Sequence, residues 1–277
     1  MEPEPFQVLC QIPGAGSLTL AGETVGAGPP LVLLHGLSAT RRNVLQGSRH
    51  LQRRGYRVIA YDARGHGASD PAPSYEYADL VGDLEAVLAY FDLDRAALVG
   101  SSMGAATAMA FALEHQERVP ALVQITPAYT GHARTEDGDR WERLASALER
   151  GGVEGFVDAA QPDGIPERWR EVVREATRQR MERHEHPEAV ARALREVPHS
   201  IAWEGLQPLR RLDLPVLIVG SRDDADRLHP LSVARDYARC LPRAELLVED
   251  EGRSPLAWQG ARLSGAIGGF LERVGYA

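Results

Sequence analysis

The sequence predicts an α/β protein in which one mostly parallel sheet is covered by helices on both faces. Three observations carry this. The short runs LVLLH (31–35), RVIAY (57–61), AALVGS (96–101), LVQIT (122–126), PVLIVG (215–220) and AELLVE (244–249) are mostly apolar throughout, as strands buried on both faces should be. Segments 40–54, 76–91, 103–116, 231–240 and 258–273 have the length and apolar spacing of crossover helices. The 277-residue length, with 44% hydrophobic and 25% charged residues, suits one large domain with an insertion or two smaller ones.

The elements follow in order. FQVLCQI and SLTLAGET, separated by Pro13, Gly14 and Gly16, have the pattern of a β-hairpin. Strand and helix then alternate until LVQIT, after which the rhythm breaks: far more chain separates LVQIT from PVLIVG than one crossover helix needs. Residues 130–206 carry apolar residues at helical spacing (Trp141, Leu144, Leu148; Trp169, Val172, Val173, Ala176) among many Arg and Glu. They are expected to form a helical cap inserted into a core made of 1–129 and 207–277, and charge runs such as ERWREVVREATRQRMERHE are expected to be a solvated helix face.

Composition excludes several function classes. The net charge of −8 disfavours nucleic acid as a partner. All 31 basic residues are arginine, so neither Schiff-base chemistry nor a P-loop, both of which need a lysine, is available. Cys10 and Cys240 form neither a metal-ligand pair by spacing nor a disulfide framework, which points to inert thiols in a reducing compartment. Gly14-Ala15-Gly16 lacks the strand-to-helix setting of a phosphate loop. No cofactor and no metal are expected. The opening MEPEPFQVLC is acidic where a signal peptide would be basic and then apolar, and no stretch approaches a membrane span. The expectation is a soluble, cytoplasmic protein that acts on a small molecule, with no nucleic acid or membrane partner; oligomeric state is not legible.

The strongest chemical signal is Gly100-Ser101-Ser102-Met103-Gly104, a G-x-S-x-G match that follows a predicted strand and opens a predicted helix, the setting a nucleophile elbow requires. A serine in so tight a turn projects its hydroxyl above the sheet, and flanking glycines remove side-chain clashes. The helix N-terminus supplies unpaired N–H groups, so the Met103 amide is placed to stabilise an oxyanion.

With two further stretches the chain resembles the α/β-hydrolase fold superfamily over nearly its whole length. His35-Gly36 resembles the family's HG turn, and the resemblance implies that Leu37 donates the second oxyanion-hole N–H. Asp62-Ala63-Arg64-Gly65-His66-Gly67-Ala68-Ser69-Asp70 resembles the D-x-R-G-H-G-x-S turn, which is structural in that family and implies a packing role for His66. A serine in the elbow argues against the epoxide hydrolase and dehalogenase branches, which attack with aspartate, and suits an ester, thioester or lactone-like carbonyl. For the acid the resemblance offers Asp226, four before Pro230, and second Asp223, three after Gly220; counting from Pro215 would favour Asp224.

One position departs from the pattern. The family's histidine should lie in a segment resembling G-H-S-P before the last helix, but here it reads Gly252-Arg253-Ser254-Pro255, and no histidine follows His229. Arginine stays protonated and cannot take a proton from Ser102. Three readings stay open: a relocated base, His229 on the acid loop or His199 from the cap; an activated or self-assisting substrate whose carboxylate or phosphate pairs with Arg253; or a disarmed small-molecule binding protein in which Arg253 closes the old site. The preferred expectation is a carboxylesterase-like serine hydrolase acting through Ser102 on a small, mostly apolar substrate, with an atypical or missing base.

Overall fold

The computed structural model describes residues 2–12, 14–133, 138–161, 166–222 and 228–276. Eight strands, β1 (Glu4–Ile12), β2 (Gly16–Val25), β3 (Pro30–Leu34), β4 (Arg57–Tyr61), β5 (Ala97–Ser101), β6 (Leu122–Ile125), β7 (Val216–Gly220) and β8 (Ala244–Val248), form one sheet in the order β1-β2-β4-β3-β5-β6-β7-β8. The hairpin β1–β2 joins β4 antiparallel, and β4-β3-β5-β6-β7-β8 are parallel. The expected α/β architecture is therefore observed.

Period-two side-chain alternation explains why the strands read as continuous apolar runs. Val32 and Leu34, Leu98, and Val216 and Ile218 enter the core on one face, while Leu31 and Leu33, Ala97 and Val99, and Leu217 and Val219 enter the core on the other. Helices α2 (Tyr77–Tyr90), α3 (Met103–Glu114) and α7 (Leu231–Cys240) bury residues in the first core, and α8 (Gly260–Arg273) in the second.

Segment 40–54 is not the single helix its spacing suggests. It forms a 3-10 turn at Arg41–Asn43 and one α turn, α1 (His50–Arg53), because Gln46 and Gly47 both adopt positive φ, 49° and 73°, which no right-handed helix accommodates. Between β6 and β7 come α4 (Gly138–Ala159), broken at the non-helical Gly152, α5 (Glu167–Met181) and α6 (Pro187–Glu196). They share a third apolar cluster that includes Trp141, Leu144, Leu148, Phe156, Met181 and Leu194.

The parallel order reverses at β3: β4 lies on one side of it and β5 on the other. Open α/β sheets leave a crevice outside the carboxyl ends of their strands at such a switch point. The HG turn after β3 and the elbow after β5 both end there.

Candidate active site

Ser102 sits between β5 and α3 with φ 51° and ψ −110°, a conformation that a side chain with a Cβ tolerates only where its surroundings impose it. Those surroundings are backbone. The Ser102 N–H donates to Ile125 O of β6 at 3.1 Å. A Cβ on Gly100 would lie 2.3 Å from Gly104 O, and one on Gly104 would lie 2.2 Å from Leu34 O, so glycine at both positions lets α3 begin directly against the end of β3. A Cβ on Gly36 would meet Ser102 Cβ at 3.3 Å, so the HG turn runs along the serine. The Met103 N–H belongs to the first turn of α3 and has no intrahelical partner, and Leu37 lines the same small pocket as Ser102 and Met103.

His229 lies on the connection from β7 to α7, half-buried, with its Nε2 2.7 Å from Ser102 Oγ. It immediately precedes Pro230, the N-cap residue of α7, and a residue before proline is steered to extended backbone, which limits how the ring is presented. Of the two histidines considered as relocated bases, the structure brings this one to the serine. His199 is exposed at the end of a 3-10 turn and lines neither pocket at Ser102. Asp223, Asp224 and Asp226 lie outside the described residues.

From the sequence, Arg253 is expected to pair with a substrate anion or to close the site. It is exposed in the turn after β8, its N–H donating to Asp250 O at 3.2 Å, and it is absent from the lining of the cleft over Ser102. The turn is tight because Gly252 adopts a φ of 76°.

Three buried histidines near the site are structural. His35 Nδ1 donates to Gly36 O at 2.8 Å and its Nε2 accepts the Ala63 N–H at 2.8 Å, so the ring ties the HG turn to the turn after β4. His66 Nδ1 bonds Arg64 O at 2.9 Å. His184, beyond α5, accepts the Gly67 N–H on Nδ1 at 2.9 Å and donates from Nε2 to Ser38 O at 3.2 Å. Burial, reinforced by mutual repulsion, pushes His35 and His184 down to about 3, and burial lowers His66 as well. The D-x-R-G-H-G turn is held by Arg64, whose guanidinium pairs twice with buried Asp83 at 2.8 Å, and by Asp62, which accepts the Arg41 and Ala68 N–H groups.

Two spaces meet at Ser102. One is a cleft of about 810 Å³ that Ser102, His229, Trp258 and one face of α5 help to line. The other is a pocket of about 40 Å³ walled by Tyr77, Tyr129, Trp141, Val197 and Pro198 beside Leu37 and Met103. Of the charge run expected to form a solvated face, Gln179 and Arg180 line the cleft, beside Val173 and Ala176 of the apolar spacing. Helical spacing reveals a two-faced helix but not that its second face borders a cavity.

Both cysteines are free; Cys10 is buried, and burial pushes its thiol up to about 12, which makes it unreactive. Among the described residues no cluster of His, Cys, Asp and Glu suits a metal ion, and no helix is long and apolar enough to cross a membrane.

Comparison with known proteins agrees with this fold. A model of the alpha/beta hydrolase fold family matches residues 29–260. The AB hydrolase superfamily protein YisY of Bacillus subtilis is 31% identical over 137 residues, 48% of this chain and about half (51%) of that relative. A thermophilic esterase from Thermogutta terrifontis superposes with a TM-score of 0.81 at 26% identity, covering 98% of this chain and 99% of that one. The enol-lactonase of Burkholderia xenovorans LB400 shares the fold, with a TM-score of 0.77 at 22% identity over 95% of this chain and 99% of that one. With the family's turns and elbow at their expected places in the sheet, the chain belongs to the alpha/beta hydrolase fold family.

Proposed function

We propose that this protein is a serine hydrolase of ester-like carbonyl compounds in which Ser102 is the nucleophile and His229, from the β7–α7 connection, is the base. The observation that carries the reading is the 2.7 Å approach of His229 Nε2 to Ser102 Oγ at a positive-φ elbow. With its ring neutral and protonated on Nδ1, His229 accepts the serine hydroxyl proton as Oγ attacks the carbonyl carbon. The oxyanion forms beside the Leu37 and Met103 N–H groups. Collapse breaks the bond to the leaving oxygen, which takes the proton from Nε2. Water then attacks the acyl-serine carbonyl carbon, giving its proton to His229, and collapse breaks the bond to Ser102 Oγ, which takes that proton back from Nε2 as the acid product leaves. Asp226 or Asp223 is the proposed carboxylate that orients the ring from the same connection.

The esterase and lactonase named above, built on the same fold, support a carboxylesterase-like activity. The disarmed-binder alternative needs a serine without a base, and the His229 contact weighs against it.

Intact-protein mass after incubation with a fluorophosphonate tests the reading without knowledge of the substrate. One adduct is expected on the unaltered protein and none on Ser102→Ala or His229→Gln. Labelling of His229→Gln at the unaltered rate would remove His229 from the mechanism, and labelling of Ser102→Ala would remove the serine.

A further inference from the structure

The large cleft has a charge opposite to that of the whole molecule. In a chain of net charge −8, its described lining includes Arg41, Arg42, Arg49, Arg180 and Arg183 against one carboxylate, Glu23. Arg41 is already engaged with Glu23 at 3.7 Å and with buried Asp62. Among the described residues Arg42, Arg49 and Arg183 form no ion pair, and all three are exposed. Arg42 and Arg49 come from the β3–α1 connection and Arg183 from the chain just beyond α5, so the positive groups reach the cleft from both the core and the inserted helices. Every basic residue here is an arginine, so placement rather than residue type carries the inference. Three unmatched guanidiniums at one cleft raise each other's energy, and an anion entering between them relieves that cost. Guanidinium donors fit the oxygens of carboxylate or phosphate in pairs.

The leaving oxygen must face His229, which returns the proton to it. His229 borders the large cleft but not the 40 Å³ pocket, which borders Met103 and shares Leu37 with the cleft. The leaving alcohol therefore extends into the arginine-lined cleft and the acyl chain into the small apolar pocket. At roughly 10–15 Å³ for each water-sized group, that pocket holds an acyl chain of about two to four carbons.

Resting on the serine-hydrolase reading above, we infer that the substrate is a short-chain acyl ester whose alcohol portion carries an anionic carboxylate or phosphate, held by Arg42, Arg49 and Arg183. The mostly apolar substrate expected from sequence is thus replaced by one that is apolar only in its acyl part.

The test compares kcat/KM for three acetate esters with closely similar benzylic leaving groups: 4-(acetoxymethyl)benzoate, its neutral methyl ester, and 4-(acetoxymethyl)phenyl phosphate. An anionic ester is expected to exceed the neutral one at least about tenfold, equivalent to about 1.4 kcal/mol, and the phosphate and carboxylate arms show which anion is preferred. In the double variant Arg42→Gln/Arg183→Gln the ratio should fall toward one, whereas Arg239→Gln, on α7 and outside the cleft lining, should keep it. A ratio near one in the unaltered protein, or one the double variant leaves intact, overturns the anion inference while neutral-ester hydrolysis keeps the hydrolase reading. Turnover of none of the esters by a protein that takes the fluorophosphonate overturns the inference alone. Absence of both turnover and adduct overturns both readings. An octanoate ester of the same alcohol turned over faster than the acetate overturns the acyl assignment.

Discussion

Acid should unfold this protein through its buried histidines, by an amount the structure allows to be worked out. His35 and His184 each use one ring nitrogen to accept a backbone N–H, from Ala63 and Gly67, so a proton added there would face another donor. His66 stands between them, with ring centroids 5.2 Å and 5.6 Å away. The charges that bear on the cluster are Asp62, which favours protonation of His66, and Arg41 and Arg180, which oppose it at His35 and His184 respectively. Both outer rings are held down to about 3, against about 6.5 in the unfolded chain. A lowered histidine pKa means that the unfolded state binds the proton first. Stability is therefore unaffected above about pH 7 and falls as pH drops from about 6.5 toward 3, with a slope of about 3 kcal/mol per pH unit for two protons. By pH 5 the two rings together remove about 4 kcal/mol, a large share of an ordinary domain's stability. Urea unfolding from pH 5 to 8, for the unaltered protein and His184→Gln, isolates one ring. The variant should be less stable at pH 8 but should lose about 2 kcal/mol less on going to pH 5. Parallel curves for the two proteins would mean that His184 titrates alike folded and unfolded, and the argument would fail.

Three further outcomes follow from the geometry. His229→Gln should lower kcat on any ester by at least about 10⁴-fold with unchanged circular dichroism, since loss of the base leaves only oxyanion binding; a loss below tenfold in steady-state kinetics would contradict its role. Arg253→His should leave the fluorophosphonate labelling rate within about twofold, because position 253 is exposed and away from the cleft; a large acceleration would show that the turn after β8 still reaches the serine. Asp83→Asn should cost about 2–3 kcal/mol in urea unfolding at pH 7, since it leaves the buried Arg64 guanidinium with only the partly exposed Asp79 carboxylate at 3.1 Å; a cost under 1 kcal/mol would mean that Asp79 alone neutralises Arg64.

What was legible in the sequence was local. Six apolar runs became the six parallel strands, and G-x-S-x-G became the elbow, because strand burial and the glycine requirement at Gly100 and Gly104 act over a few residues. Segment 40–54 misled because its apolar spacing suits a helix while Gln46-Gly47 turns the chain the other way. The partner of Ser102 was legible only as one of two candidates, His229 or His199: His229 is 127 residues away in sequence, and only the sheet order, with β6 alone between β5 and β7, brings the β7–α7 connection over the elbow. The cleft's arginines were hidden for a related reason, since nothing local separates a solvent-facing arginine from a cleft-lining one, whether in the β3–α1 connection or at the end of α5.

Sheet geometry also explains why a histidine on the β7 connection can do what one after β8 would otherwise do. Adjacent strands lie about 4.8 Å apart, so β7 ends about 10 Å from β5 and β8 about 14 Å from it. The nearer root needs the shorter reach, provided the long β7–α7 connection is held in place. Buried Glu249, the first residue after β8, supplies a brace. One carboxylate oxygen accepts the Arg222 N–H at the root of the connection, the other accepts the Leu256 N–H at 3.1 Å, and Arg222 Nε donates back to Glu249 O at 3.1 Å. In the proposed mechanism Glu249 is thus a positioning residue that acts through His229. Glu249→Ala should lower the fluorophosphonate labelling rate and kcat by about tenfold or more with little change in KM, because it frees the His229 loop and leaves two amides without their acceptor. Glu249→Gln, which keeps one acceptor, should recover part of that loss. Were the brace only a stabilising contact, Glu249→Ala would lower the melting temperature and leave the labelling rate at 25 °C unchanged, and the rate comparison decides between the two.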